Sequence, residues 1–459
     1  MFNVEEQDEI EVVGPPTKIK VVLSNRAFLK PDDKLLKRIK TNLTYEIPAT
    51  YNQRENTFAF NYGPYLRGSF WIPVARTDLL QGYDVEYIDK RTYKPVSIPK
   101  PKFTLRPDQQ EILDAIDDTA LINGKPGFGK TITALAVAHK LQQKTLVVTT
   151  TTTIRDMWIK EVRLHLGIEP GIVGSGKFNI DSPIVIGNIQ TLTRNAEKVT
   201  NEFGLIIFDE CHHTPASTFT KLLLASKARY KLGLSGTLVR KDGMQCMFKD
   251  FFGFNVISPA VANTIPPTVH LYPSGAALPG NGNTPWADRV TELTQNDVYR
   301  KEVLALISLY TKLGHKVILV SDRVEFLTYI HENTEVRSAL FIGEAGEDAR
   351  DQMFLDMTEG RLDLFNASQS IFSEGVSQNN LSCMILGSPI SDNESLINQL
   401  AGRIMREDPG KLNPVLVDMQ LKGGPARAQA NKRKIIYTDA GWSYHDIDLH
   451  FLVSKVNSM

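Results

Sequence analysis

The chain has 459 residues, 42% of them hydrophobic and 23% charged, with 52 basic side chains against 52 acidic ones. That length exceeds one compact core and implies two or three domains, and the composition excludes a disordered or fibrous chain. A formal charge of zero excludes a global field for polyanions, so any nucleic-acid binding must come from local basic surface.

The opening MFNVEEQDEIE carries five acids and no base, and lacks the basic and apolar regions of a secretory signal. Three widely spaced cysteines (Cys211, Cys246, Cys383) cannot build a disulfide framework. No stretch reaches the roughly 18 unbroken apolar residues of a membrane helix. A cytoplasmic protein is expected.

Residues 12–100 hold fifteen Lys/Arg against eight Asp/Glu and read as strand-rich. TKIKVVLSN is an apolar run, and NTFAFNYGPYLRGSFWIPV sets aromatics two apart around a GP turn, which predicts a hairpin. KPVSIPKPKF then reads as a linker. From Leu105 short β-branched runs alternate with helical-period segments: KTLVVTT, SPIVIGN, FGLIIFDE and YKLGLSGT. The pattern repeats in GHKVILVS, RLDLFNAS, LSCMILGS and NPVLVDM. Continuous apolar strands separated by helices predict parallel sheets covered on both faces. Between the two sets, residues 256–285 are rich in Pro, Gly and Asn and read as a connector. The close, ARAQANKRKIIYTDAGW, reads as a basic tail.

GKPGFGKT matches G-x-x-x-x-G-K-[ST] and sits between the apolar TALIN and the helical TITALAVAHKLQQ, where a phosphate-binding loop belongs. The residues assigned to it are Gly124, Lys125, Pro126, Gly127, Phe128, Gly129, Lys130 and Thr131. Glycines let backbone N–H groups curl around phosphates, and the following helix adds partial positive charge. Lys130 would neutralise phosphate oxygens, and the Thr131 hydroxyl would face Mg²⁺.

IIFDECHHTP packs two carboxylates, one thiol and two imidazoles into ten positions. Zinc is a poor fit, because structural sites take ligands in separated pairs and no second Cys/His pair stands at usable spacing. The strand reading is better. A buried run ending in two acids delivers Asp209 and Glu210 to the carboxyl edge of a parallel sheet, where ligands bind. Asp209 would hold Mg²⁺ through water and Glu210 would polarise the attacking water. His212 is read as coupling this site to the next motif.

DECH after an apolar strand and downstream of GxGKT resembles the superfamily 2 helicases and translocases, most of all the phage UvsW-type branch-migration helicases. The resemblance runs over residues 105–418. LRPDQQ is similar to the adenine-reading motif, with Gln109 and Arg106 as base readers. TTTTIRDMW and GNIQTL resemble the motifs that place Thr151 and Thr191 on nucleic-acid phosphates. GLSGTLVRKDG resembles the coupling motif, giving Ser235, Gly236 and Thr237. VILVSDR looks like motif IV. NASQSIFSEGVSQNNL looks like motif V, with Ser368 near nucleic acid and Gly375 near the nucleotide. QLAGRIMR matches Q-x-x-G-R-x-x-R, supplying Gln399, Arg403 and Arg406. The sequence departs from the family pattern at Thr150, Ser377 and Met405.

The resemblance implies an α/β protein: two tandem RecA-like parallel-sheet motor domains preceded by a small strand-rich (α+β) N-terminal domain. The boundaries expected are 1–100 for an accessory domain, 101–256 for the first motor domain, 257–290 for a connector, and 291–459 for the second motor domain with its tail. It implies ATP and Mg²⁺ as cofactors, and DNA, forked or branched and tracked as a single strand, as partner to a monomeric or weakly associating chain. Lys130, Asp209, Glu210, Gln399, Arg403 and Arg406 are its catalytic set, with both arginines also touching the nucleotide. An arginine finger is worth roughly 10³–10⁵ in rate, so delivering it from another domain makes hydrolysis depend on a second unit. In the N-terminal domain Phe58, Phe60, Tyr62, Tyr65, Phe70 and Trp71 are expected mainly to build a small β core. Lys34, Lys37, Arg38, Lys40 and Arg67, with Lys432, Arg433 and Lys434, are candidates for DNA contact. An RNA helicase and a nucleotide-gated DNA clamp are the competing readings.

Overall fold

The computed structural model describes residues 18–47, 57–124, 128–199, 201–211, 216–236, 247–259, 264–281, 283–342, 347–369, 378–390 and 394–447. Of the candidate residues, Lys125, Pro126, Gly127, His212, Thr237 and Gly375 lie outside them. The chain forms two compact units, one holding the N-terminal strands and the first large sheet, the other the second large sheet.

In the N-terminal part, β1 (Ile19–Leu23), β2 (Ala27–Leu29), β3 (Thr44–Ile47), β4 (Thr57–Phe60), β5 (Gly63–Pro64), β6 (Phe70–Ile72) and β7 (Val85–Asp89) divide between two sheets. Five run in the order β5-β6-β2-β1-β7, and β3 pairs only with β4. Alternation on β1 turns Ile19, Val21 and Leu23 inward. Against them packs the helix Asp33–Leu43, whose Leu35, Ile39 and Leu43 recur every four residues and are buried. Asp32 caps it by accepting the Leu35 N–H at 2.7 Å.

Two expectations fail here. The hairpin does not turn at the GP pair: Gly63 and Pro64 lie in β5, paired with Trp71 and Phe70. The reversal comes later, where Arg67 (φ 56°) and Gly68 (φ 73°) adopt the left-handed conformation that a tight turn needs. Of the six aromatics only Tyr62 is packed against the N-terminal core. Phe58, Phe60 and Tyr65 are exposed, and the core is aliphatic. On β4 the inward residue is Ala59, which with Tyr45 packs against the core of the first large sheet.

That sheet contains β8 (Ala120–Asn123), β9 (Thr145–Thr149), β10 (Gly171–Gly174), β11 (Lys177–Phe178), β12 (Ile184–Asn188), β13 (Leu205–Phe208), β14 (Tyr230–Ser235) and β15 (Val256–Ile257). Its order is β11-β10-β12-β9-β13-β14-β8-β15, and only the β10–β11 pair is antiparallel. β9, β12 and β13 are buried at every position, as parallel strands covered on both faces must be.

The N-terminal part is fastened to this sheet at Asp250, which is fully buried on the helix Met247–Phe252. Its carboxylate accepts from Tyr45 Oη (2.6 Å), Asn61 Nδ2 (2.7 Å) and Arg76 Nη1 (2.7 Å). The segment read as a linker is strapped down as well. Lys94 and Ile98 donate their N–H groups to the side-chain oxygens of Gln143 and Gln142, and Lys102 N–H donates to the His165 carbonyl. An extended proline-rich strand makes no bonds within itself, so those donors are satisfied by the surface it crosses.

The second unit holds β16 (Thr268–Ala277), β17 (Val317–Ser321), β18 (Ser338–Phe341), β19 (Leu364–Ser368), β20 (Cys383–Leu386), β21 (Val415–Lys422) and β22 (Tyr444–Asp446). They run in the order β18-β19-β17-β20-β21-β16-β22, every pair parallel. The stretch read as a connector therefore supplies β16, a strand flanked on both sides. Val269 and Leu271 enter the core on one face of the sheet and Tyr272 and Ala276 the core on the other, a two-sided burial hidden in the sequence by Pro273, Gly275 and the prolines around it. The register with β21 shifts between Pro273 and Ala277, where proline cannot donate to the ladder.

Candidate active site

The strands of the first sheet end level with one another. Ser235 pairs with Asn123, Phe208 with both Gly233 and Val148, and Asn188 with Thr149. Asp209 and Glu210, next after Phe208, thus stand at the same carboxyl edge as Ser235 and as Asn123, from which the phosphate loop departs. Asn123, Thr149, Asn188 and Ser235 make this edge polar where each apolar strand stops. The signal was in the sequence as ALIN, TLVVT, IVIGN and KLGLS, although only Ser235 was singled out.

Local geometry shapes each group. The Asp209 N–H donates to the Val148 carbonyl at 3.0 Å, holding it in line with the sheet. Its carboxylate Oδ1 accepts the Glu210 N–H at 2.9 Å. Glu210 has φ 44°, a left-handed conformation uncommon for a residue with a Cβ and costing on the order of 1 kcal/mol or more. That bend breaks the strict alternation of a strand, so the two acids need not point to opposite faces. Asp209 is buried and Glu210 half-buried. Cys211 beside them is fully buried in the apolar core.

At the start of the expected phosphate loop, glycine is required on steric grounds. A Cβ on Gly124 would lie 2.9 Å from the Phe128 ring and 3.3 Å from Lys130 Cγ, so only glycine leaves that cradle open. Gly129 has φ 89°, and the helix Lys130–Leu141 begins directly after it. Lys130 Nζ donates to the Gly124 carbonyl at 3.0 Å, a bond that a phosphate oxygen could replace. Upstream, Gln109 is buried and its Oε1 accepts the Arg106 N–H at 3.0 Å, capping the helix Pro107–Asp114. The Arg106 guanidinium pairs with Asp108.

In the second unit the helix Glu394–Ile404 buries Ile397, Leu400, Ala401 and Ile404 in the core. By the 100° step of a helix, Gln399 and Arg403 fall on the opposite face, and both are half-buried. Arg406 follows the helix and bridges Thr264, while its Nη1 donates to Asn379 Oδ1 at 3.4 Å. Lys411 donates to the carbonyls of Asn379 and Arg406. Burial pulls the Lys411 ammonium down to about 8, with Asp408 opposing and Arg406 assisting.

The polynucleotide candidates lie on or beside separate elements. Thr151 Oγ1 accepts the Ile154 N–H at the start of the helix Thr152–Leu166, and Thr191 lies half-buried on the helix Ile189–Arg194. Ser368 ends β19 with its hydroxyl buried and without a hydrogen-bond partner among the described residues. Two basic candidates are structural instead. Arg38 donates to the carbonyls of Leu79 and Gln81. Arg433 is buried on Asp418, at 2.7 and 3.0 Å, which removes it from any DNA surface. Lys34, Lys37, Lys40, Arg67 and Lys432 are exposed.

The family model described as type III restriction enzyme, res subunit, matches residues 102–240, and that of the helicase conserved C-terminal domain matches residues 300–408. The chain is 50% identical over 430 residues to the "Probable helicase D10" of Escherichia phage T5, covering 92% of this chain and 95% of that protein. It is 32% identical over 161 residues to the DNA 3′-5′ translocase XPB2 of Sulfurisphaera tokodaii, covering 35% of this chain and 36% of that one. The structure of S. cerevisiae Dbp5 bound to RNA and ADP BeF3 shares its fold at 13% identity, with a TM-score of 0.55 over 77% of this chain and 93% of that one.

Proposed function

The chain belongs to the superfamily 2 helicases, enzymes that hydrolyse ATP on nucleic acid, and from that premise we propose that it is a DNA motor. It would unwind or branch-migrate forked and junction DNA in replication, recombination or repair. The observation that carries this reading is the shared carboxyl edge, where the loop ending in Lys130 leaves β8 and the pair Asp209–Glu210 leaves β13, two strands of one parallel sheet separated only by β14.

The loop amides and Lys130 would hold the phosphates of ATP, and Gln109 with Arg106 its adenine. Thr131 and Asp209 would hold Mg²⁺, which when bound supplies positive charge beside the phosphates. Glu210 would accept a proton from the attacking water. Arg403 and Arg406, with Gln399, come from the second unit and would stabilise the charge that develops on the transferred phosphoryl group. Any ligand that favours the arrangement of these groups competent for turnover then accelerates it. Ser235, Gly236, Thr237 and His212 would link the two events. Thr151, Thr191 and Ser368 would grip backbone phosphates, which fixes the strand without reading its bases. The DNA preference is supported by the name of the 32% identical translocase.

ATP hydrolysis and strand displacement should be measured with single strand, duplex, fork, four-way junction and RNA. Lys130→Ala should cut hydrolysis by roughly 10²–10³-fold, the scale of a lost electrostatic stabiliser, while DNA binding persists. Hydrolysis that survives in Lys130→Ala would defeat the site assignment. Stimulation by RNA above DNA would replace the substrate, and ATP-dependent binding without displacement would make the protein a clamp.

A further inference from the structure

Where the N-terminal sheet meets the first parallel sheet there is a cavity of about 410 Å³, within the size range of small-molecule sites. Three cations line it: Arg91, Arg229 and Lys231. Two are already matched by acids. Arg91 uses Nε and Nη2 on Asp89, and Arg229 uses Nη1 on Asp118, with Asp89 also 3.7 Å from its Nε. Lys231 is different. It sits on β14 between two neighbouring strands and is 6% exposed, and its ammonium has no hydrogen-bond or ion-pair partner among the described residues. Its backbone N–H donates to Thr119 Oγ1.

A buried ammonium without a counter-charge is costly, and few lysines are found in such a place. Burial and the nearby Arg91 pull Lys231 down to about 8, which expresses that cost. The three cations and two carboxylates leave one positive charge facing the cavity. Donors remain on Arg91 Nη1, Arg229 Nη2 and the Lys231 ammonium, approaching from the strand and from the segment after β7. Tyr87 and Phe254, both exposed aromatics, line the cavity as well.

We propose that this cavity binds a phosphate monoester, its oxygens on Lys231, Arg91 and Arg229 and its organic body against Tyr87 and Phe254. A monoester carries about −1.5 to −2 at pH 7 and offers three acceptor oxygens with no competing donor. A carboxylate has two oxygens and would leave one of the three cationic arms unmet. Two sources share this chemistry: a free nucleoside monophosphate and the 5′-phosphate at the end of a DNA strand. In either case the ligand bridges the N-terminal part and the motor sheet, so its occupancy stabilises that junction by mass action.

The test is calorimetric titration of full-length protein in a Lys130→Ala background, which removes the phosphate loop as a competing anion site. The probes are thymidine 5′-monophosphate and a hexathymidylate with either a 5′-phosphate or a 5′-hydroxyl. Saturable binding of the monophosphate at one per chain is expected, or else tighter binding of the phosphorylated than of the hydroxyl oligonucleotide. The first result assigns a free nucleotide and the second a DNA end. Lys231→Met should weaken that binding at least tenfold. Thr77→Trp, which fills the cavity from its N-terminal wall without touching the buried strand, should do the same and guards against misfolding of the first variant. The proposal is overturned if neither probe saturates, or if folded Lys231→Met and Thr77→Trp both bind as the parent does.

Discussion

Asp250 and Asp418 are both buried aspartates that accept from an arginine and a tyrosine, yet they hold different things together. Asp418 takes Arg433 and Tyr437 from one helix, Gly424–Asp439, fifteen and nineteen residues away. Asp250 takes Tyr45, Asn61 and Arg76 from three segments lying 205, 189 and 174 residues away. The first cluster pins a local element onto its own sheet, and the second sews one sheet to another. Their cations also differ. Arg433 has Asp418 as its carboxylate partner and otherwise donates to the Ile390 carbonyl, whereas Arg76 binds Asp78 as well.

That difference ranks two substitutions. Asp418→Ala strips the carboxylate from a guanidinium that is 4% exposed, and breaking such a pair costs about 3–5 kcal/mol. Hydrogen exchange should then lose protection along Gly424–Asp439 and β21; protection within a factor of ten of the parent would show that Asp418 holds little. Asp250→Ala should cost less, about 1–3 kcal/mol, because Arg76 keeps Asp78 while Tyr45 and Asn61 lose an acceptor. Its effect should be regional. The β3–β4 hairpin should exchange faster and the N-terminal sheet become protease-accessible, with the second unit unchanged. If both variants lose protection over the same residues, the contrast between local pin and long-range stitch is mistaken.

The same contrast explains what could be read from the sequence. Motifs compressed into a few residues were legible: GKPGFGKT and FDECH each state a loop or strand end and its chemistry together, and the apolar runs named β9, β12, β13, β14, β17, β19, β20 and β21. The Asp250 anchor was not legible, since nothing local marks Tyr45, Asn61 and Arg76 as neighbours. Period-2 spacing correctly put Phe58 and Phe60 on one face of β4 but could not say which face meets a core. The partner surface decided that, by taking Tyr45 and Ala59 instead. Lys231 was passed over inside YKLGLSGT because its burial arises only when β14 is flanked on both sides. At the candidate active site, strand ends were readable from composition, whereas the left-handed turn at Glu210 was not, because no residue there signals it.

Acid should separate the two clusters by a smaller, graded effect. In the second unit His270 shares a hydrogen bond with Tyr310 and lies 4.7 Å, ring to ring, from His445, while His315 Nδ1 is 3.0 Å from Ser382 Oγ. Burial, with the neighbouring His445 and His315, lowers His270 to about 4, and burial lowers His315 to about 4. Both ordinarily titrate near 6.5, so between those values the unfolded chain binds protons that the folded chain refuses. Stability linked to these groups is therefore complete above about pH 7 and declines as pH falls from 6.5 towards 4. Exchange protection around Asp418 should fall through that window before protection of the β3–β4 hairpin does. His315→Asn keeps a polar partner for Ser382 and removes one titrating ring, so it should flatten the decline while changing little at pH 7.5. An unaltered slope in that variant, or earlier loss around Asp250, would place the acid sensitivity elsewhere.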